Sequence, residues 1–162
     1  MAATSTDVRT ESVRRRDVLV AGLALGLTAR IEAATAPASV EVWKSPDCGC
    51  CKAWVTHLEK NGFVVRVHND GNSDARKSLR MPVELGSCHT ALIDGYAVEG
   101  HVPASSIRRL LRERPKAIGI AVPAMPLGSP GMDGPEYGGR TQPYDVLLVL
   151  HAGGTRIYQS YR

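Results

Sequence analysis

From residue 39 onward the chain alternates between two hydrophobic rhythms. Val40-Glu41-Val42-Trp43 repeats every second residue and predicts a strand. A turn at Ser45-Pro46-Asp47 follows, with Ser45 or Asp47 placed to cap a helix. From Cys50 to about Asn61 the apolar positions Cys51, Trp54, Val55 and Leu58 fall on one helical face, and Asn61-Gly62 ends the element. Phe63–His68 predicts a second strand, and Asp74–Leu79 a short helix closed by Pro82. Thr90–Ile93 and Tyr96–Glu99 flank Asp94-Gly95, a strong hairpin signal. Pro103 is placed to open a helix through Ile107, Leu110 and Leu111 to about Glu113. Ala117–Val122 is an apolar run that fits a strand or a helix end. Tyr144–Leu150 and Arg156–Tyr161 predict a final hairpin across Gly153-Gly154.

Two regions break the rhythm. Between Pro123 and Pro143 lie five prolines and five glycines without apolar periodicity. So long a loop in a small domain points to function or disorder. Residues 1–38 run from a charged segment, Arg14-Arg15-Arg16-Asp17, through apolar Val18–Ala29, to small residues ending at Ala38. That order describes an export signal, and Arg15-Arg16-Asp17-Val18-Leu19 resembles the twin-arginine pattern. A chance amphipathic tail or an uncleaved anchor is the competing reading. The apolar run is too short and too glycine-rich to span a membrane. The expected organisation is therefore an export signal over 1–38 and one domain over 39–162, periplasmic and not inserted in a membrane once the signal is removed. A twin-arginine signal implies export of a folded protein to a compartment where disulfides and metal ions are both available.

Charge narrows the function. Five of the 20 Lys and Arg and four of the 16 Asp and Glu lie before residue 39, which leaves the domain at +3. That is too mild for a nucleic-acid surface, and no aromatic platform accompanies it. Arg108, Arg109, Arg112 and Arg114 read as the solvated face of a helix.

The chemistry lies in the thiols. Three of the four cysteines stand in Cys48-Gly49-Cys50-Cys51, and Cys88 is the fourth. A helix N-terminus lowers thiol pKa values, so the first three should be rich in thiolate. Cys48 and Cys51 have the spacing of a disulfide-exchange pair, but Cys50 and Cys88 are superfluous to that task. A single zinc ion with four thiolates would keep a charge of −2, and adjacent helical residues project about 100° apart. Four thiolates neutralise four Cu(I) ions, and cysteines that diverge slightly can bridge them. The residues favour a thiolate-bridged copper cluster. They leave an iron–sulfur cluster, a dithiol oxidoreductase and a structural zinc site open. A copper site that also handles Cu(II) would draw on nearby histidines.

The order strand, CGCC, helix, strand, helix, hairpin, helix resembles a thioredoxin-like domain. The resemblance implies that Cys88 faces the CGCC turn. Such domains often carry a cis-proline before the third strand, where this chain has Ser87-Cys88-His89-Thr90. The expected fold is thus α/β, thioredoxin-like, with a mixed sheet, an extra C-terminal hairpin and a long Pro/Gly loop. Several motifs together carry a closer likeness: Pro46-Asp47-Cys48-Gly49-Cys50-Cys51-Lys52 with Trp54 and His57, Cys88-His89-Thr90, Val98-Glu99-Gly100-His101-Val102-Pro103, and Met125-Pro126 followed by Gly128-Ser129-Pro130-Gly131-Met132. Over roughly residues 40–162 the chain resembles the CopG-like family, small exported proteins associated with copper resistance. The resemblance implies copper on Cys48, Cys50, Cys51 and Cys88, a redox role in copper handling, and other copper-handling or redox proteins as partners. It raises His101 as a residue lining the site. His89, adjoining Cys88, is either a ligand or a hydrogen-bonded turn residue. Met125 and Met132 are soft donors in the loop; a loop methionine either folds over the cluster or fills a gap at the loop base, and Met132 is the candidate carried forward as an additional copper contact. His57, His68 and His151 read as structural, and Trp54 as core.

Overall fold

The computed structural model describes Met1 and residues 37–162. The expected export segment, 1–38, lies outside the described residues apart from Met1 and its last two residues.

The fold is α/β, with one mixed seven-stranded sheet. Strand β1 (Ser39–Lys44) leads into helix α1 (Gly49–Lys60), strand β2 (Val64–His68) and the short helix α2 (Ser73–Ser78). Strands β3 (His89–Ile93) and β4 (Tyr96–Glu99) form the hairpin expected across Asp94-Gly95. Helix α3 (Ala104–Glu113) and strand β5 (Gly119–Ala121) follow. Strands β6 (Tyr144–Val149) and β7 (Thr155–Tyr161) close the chain as the C-terminal hairpin. The strand order is β2-β1-β3-β4-β5-β6-β7, with β1–β2 and β4–β5 parallel and the other pairs antiparallel. The ambiguous run Ala117–Val122 holds a strand, β5, because Gly119–Ala121 pairs on both sides, with β4 and β6.

The two faces of the sheet are covered differently. On one, Val40 and Val42, Ala91 and Ile93, Val98, Ile120, Val146 and Leu148 pack with Trp54 and Leu58 of α1 and Ile107 and Leu110 of α3. On the other, Ala97, Ala121 and Val149 meet Met81, Leu79 and Leu85 from the segment after α2. The first cluster is the main core. Burying a side chain such as Leu58 or Ile107 contributes about 1.5–3 kcal/mol.

Two expectations are refined. Neither Ser45 nor Asp47 caps α1. Cys48 is the N-cap, and its sulfur accepts from the Cys51 amide at 3.3 Å. The turn is drawn in behind it, because the buried Lys44 ammonium donates to the Ser45 carbonyl at 2.8 Å. The arginines of α3 do face outward, but several are tethered. Arg109 pairs with Glu113 and donates to the Tyr158 carbonyl, and Arg108 lies over the Phe63 ring.

The histidines expected to be structural divide in kind. His68 stacks on Trp43 and bonds Glu41 at 2.5 Å. His151 is exposed in the β6–β7 turn. His57 does more: its Nε2 accepts from the Ala104 amide at 3.1 Å, so α1 satisfies a free N–H at the start of α3. Accepting there requires a neutral ring, and burial lowers the His57 pKa from 6.5 against the opposing pull of Asp133. The folded state disfavours the proton that the unfolded chain accepts. The stabilisation is therefore present above pH 6.5 and lost progressively as pH falls below it. We expect His57→Ala to lower stability by about 1 kcal/mol at pH 8. The variant should also show a shallower loss of stability below pH 6.5 in urea titrations. An unchanged slope would assign the acid sensitivity to other groups.

Candidate metal centre

Two stretches of chain deliver the sulfurs. Cys48, Cys50 and Cys51 enter on the first turn of α1, directly after β1. Cys88 sits just before β3, which pairs antiparallel with β1 in a register that sets Lys44 opposite His89. The end of one strand and the start of the other therefore meet at one edge of the sheet, and the four cysteine sulfurs all lie within 4.8 Å of one another. Cys50 Sγ is 3.5 Å from Cys48 Sγ and 3.8 Å from Cys88 Sγ. Cys51 Sγ is fully buried, 3.5 Å from the Cys88 carbonyl oxygen. Cys48 and Cys51 are joined as a disulfide, while Cys50 and Cys88 are free. The structure thus shows the oxidised form of the motif, and two electrons and two protons separate it from four free thiols.

Two imidazoles extend the sulfur group. Cys88, His89 and His101 form a second set whose donor atoms lie within 4.8 Å of one another. His101 Nδ1 donates to the Pro130 carbonyl at 2.8 Å, which leaves Nε2 as an acceptor facing Cys88 Sγ at 3.1 Å. His89 is not a turn residue. It begins β3, is wholly buried and packs 4.2 Å from the Trp54 ring. Its Nδ1 is 3.5 Å from Cys88 Sγ, and its Nε2 is a buried nitrogen without a hydrogen-bond partner. Burial, then His101, push its pKa down to about 3, so the ring is a neutral donor at ordinary pH. Burial lowers His101 as well. For Cys88, burial and then the Cys50 sulfur push the thiol up to about 12. A soft cation that replaced this proton would relieve the penalty, and its binding would release protons. The donors present, soft sulfur flanked by neutral imidazole, fit a soft or borderline metal ion and not a hard one.

The Pro/Gly loop packs against the site. Gly131 has φ +87°, and a β-carbon there would stand 2.5 Å from the Cys50 carbonyl and 2.9 Å from the Trp54 amide. The loop therefore lies directly on the start of α1 and is held there by the Pro130 carbonyl, which accepts from His101. Trp54 Nε1 donates to the Val102 carbonyl at 2.8 Å and ties α1 to the segment that follows His101. Met132 is buried in this loop, and its main chain closes the turn with Gly128 and Ser129. Met125 is exposed.

With the geometry in hand, the comparisons are specific. A family model described as a protein of unknown function, DUF411, matches residues 85–132, the stretch from Cys88 through the loop to Met132. No curated protein matches. Two solved structures of the copper resistance protein CopG, form 1 and form 2, are each 44% identical to this chain. Form 2 covers 78% of this chain and 99% of its own length at a TM-score of 0.70. Form 1 covers 77% and 98% at 0.71. The chain belongs to the CopG-like copper-resistance family. The family's link to copper agrees with the donor set, in which sulfur dominates.

Sequence reasoning left Glu99, Arg76 and Lys44 without a role. Glu99 is wholly buried and accepts from Arg76 and from the amide of Ser87, the residue before Cys88. The available signal was an acid at the end of the apolar run Tyr96-Ala97-Val98, a position that requires a partner.

The seat of Gly131 generates a test. Gly131→Ala adds a β-carbon where no room exists, and a left-handed backbone costs a non-glycine residue about 1–2 kcal/mol. We expect the loop to lift and Cys50 to react faster with iodoacetamide, while the helical circular dichroism is unchanged. Unchanged Cys50 reactivity would show that the loop does not shield the sulfurs.

Proposed function

We propose that this chain is an exported, periplasmic copper-binding protein of copper resistance that holds Cu(I) on Cys48, Cys50, Cys51 and Cys88 once the Cys48–Cys51 disulfide is reduced. The observation that carries this reading is four sulfurs within 4.8 Å, supplied by two chain segments. Thiolate prefers Cu(I) over harder ions. One zinc ion would leave the four thiolates at −2 in a half-buried site, whereas four Cu(I) ions leave no net charge. A polynuclear, sulfur-bridged site follows from that balance. His101 Nε2 and His89 supply nitrogen donors next to Cys88, which supports a redox role in which the site handles both Cu(I) and Cu(II). The β2-β1-β3-β4 half of the sheet, with the cysteine motif opening the first helix, supports reading the domain as thioredoxin-like. Among the described residues no helix is long and apolar enough to cross a membrane. Copper donors and electron partners in the same compartment complete the proposal, with residues 1–38 as a twin-arginine export signal.

A second reading has its own observation. The Cys48–Cys51 disulfide is the oxidised form of a dithiol exchanger, and thiol–disulfide exchange would use that pair alone. Replacing the other two cysteines separates the readings. Cys50→Ser and Cys88→Ser should each abolish most Cu(I) binding in an anaerobic titration if copper is the cargo. If the protein is an exchanger, both variants should retain full insulin-reduction activity, and copper binding should be weak in the parent chain as well.

A further inference from the structure

Cys88 stands on a short link without regular structure, between the turn Val83–Leu85 and β3. Its sulfur nevertheless lies within 3.8 Å of Cys50 and 3.1 Å of His101. Something must fix the main chain that carries it. The two imidazoles and Trp54 approach from the α1 face of the sheet. The opposite face provides a charged pair that the function proposed above leaves unused.

Glu99 is the last residue of β4 and pairs across the hairpin with Thr90. Its side chain has no solvent exposure, and that of Arg76, from α2, has 15%. Glu99 Oε1 accepts from Arg76 Nε at 3.1 Å, from Arg76 Nη2 at 2.8 Å and from the Ser87 amide at 2.7 Å. Glu99 Oε2 accepts from the Thr90 hydroxyl at 2.6 Å. All four partners are donors, so the carboxyl group serves as a carboxylate. The same Arg76 Nη2 also donates to the Ser87 carbonyl at 2.6 Å. Both main-chain groups of Ser87, the residue before Cys88, are therefore held by one ion pair. Asn72 Nδ2 adds a bond to the Ser87 carbonyl at 3.2 Å, and the Ser87 hydroxyl donates to Ala124 at 2.6 Å. Gly100, at φ +71°, lets the chain pass so close that a β-carbon would stand 2.7 Å from Ser87 Cβ.

We propose that Arg76 and Glu99 are positioning residues for Cys88: a buried ion pair that grips the Ser87 peptide on both sides and holds the Cys88 sulfur in the site. This rests on the reading of Cys88 as a copper ligand. The pair touches neither sulfur nor imidazole and acts only through the backbone. An arginine is required, because a planar guanidinium can bridge the carboxylate and the Ser87 carbonyl in one fixed geometry. A lysine in its place keeps the charge and loses the fork.

The test uses the full chain, reduced and kept anaerobic, with Glu99→Gln and Arg76→Lys. Arg76→Lys guards against a folding failure, since it preserves the charge balance. Two readouts are taken: the iodoacetamide rate at Cys88 against that at Cys50, resolved by peptide mass spectrometry, and Cu(I) affinity against bathocuproine disulfonate. We expect Cys88 to react severalfold faster in both variants while Cys50 is unchanged. Cu(I) affinity should fall about 10- to 100-fold, as for other residues that orient metal ligands. In a Cys88→Ser background the same substitutions should cause no further loss of affinity. Lower thermal stability with an unchanged Cys88 rate would overturn the proposal and leave the pair a purely structural one. A parent chain that bound no Cu(I) would count against the copper reading instead, and the alkylation rates would still decide the positioning role.

Discussion

The register of β1 against β3 is the constraint on which the site depends. It sets Lys44 opposite His89, so the turn that leaves β1 and the link that enters β3 emerge together. A slip of one residue would turn His89 and Thr90 each to the other face of the sheet and separate Cys88 from the first turn of α1. The register is pinned by the core, because Val40 and Val42 must lie beside Ala91 and Ile93 beneath α1 and α3. Hydrophobic burial thus fixes the position of the sulfurs, although no sulfur but that of Cys51 belongs to a fully buried residue.

Around that edge the protein concentrates buried polar groups. Lys44, His89, Thr90, Glu99 and His101 are all at most 2% exposed. Each needs partners, since an unpaired buried charge is costly, and breaking such a pair costs about 3–5 kcal/mol. Lys44 holds the turn before Cys48, Glu99 is bonded from four donors around Cys88, and His101 anchors the Pro/Gly loop. Among the described residues only His89 Nε2 is a buried side-chain polar atom left unsatisfied, in a ring that also adjoins Cys88. The polar groups that do not reach the sulfurs hold the segments that carry them.

Much of this was legible in the chain. Period-two and helical spacing located β1, α1, the β3–β4 hairpin, α3 and the C-terminal hairpin, since each has an apolar face bounded by turn residues. The four cysteines announced themselves by density, and the expectation that Cys88 faces the CGCC turn agrees with the sulfurs' grouping within 4.8 Å. Three features were not legible. Cys48 as its own helix cap replaces the expected oxygen cap, because sulfur can accept from the Cys51 amide. His89 in a strand depends on pairing with β1, which no local signal reports. The Arg76–Glu99 pair joins residues 23 positions apart from different elements, so Glu99 signals that it needs a partner but nothing along the chain points to Arg76.

The central claim is that the four sulfurs hold Cu(I) as a group. Copper K-edge X-ray absorption on the full chain, reduced and loaded anaerobically with Cu(I), tests it most directly. The account predicts a first shell dominated by sulfur together with copper–copper scattering. A shell of nitrogen or oxygen, or sulfur without any copper–copper scattering, would contradict it.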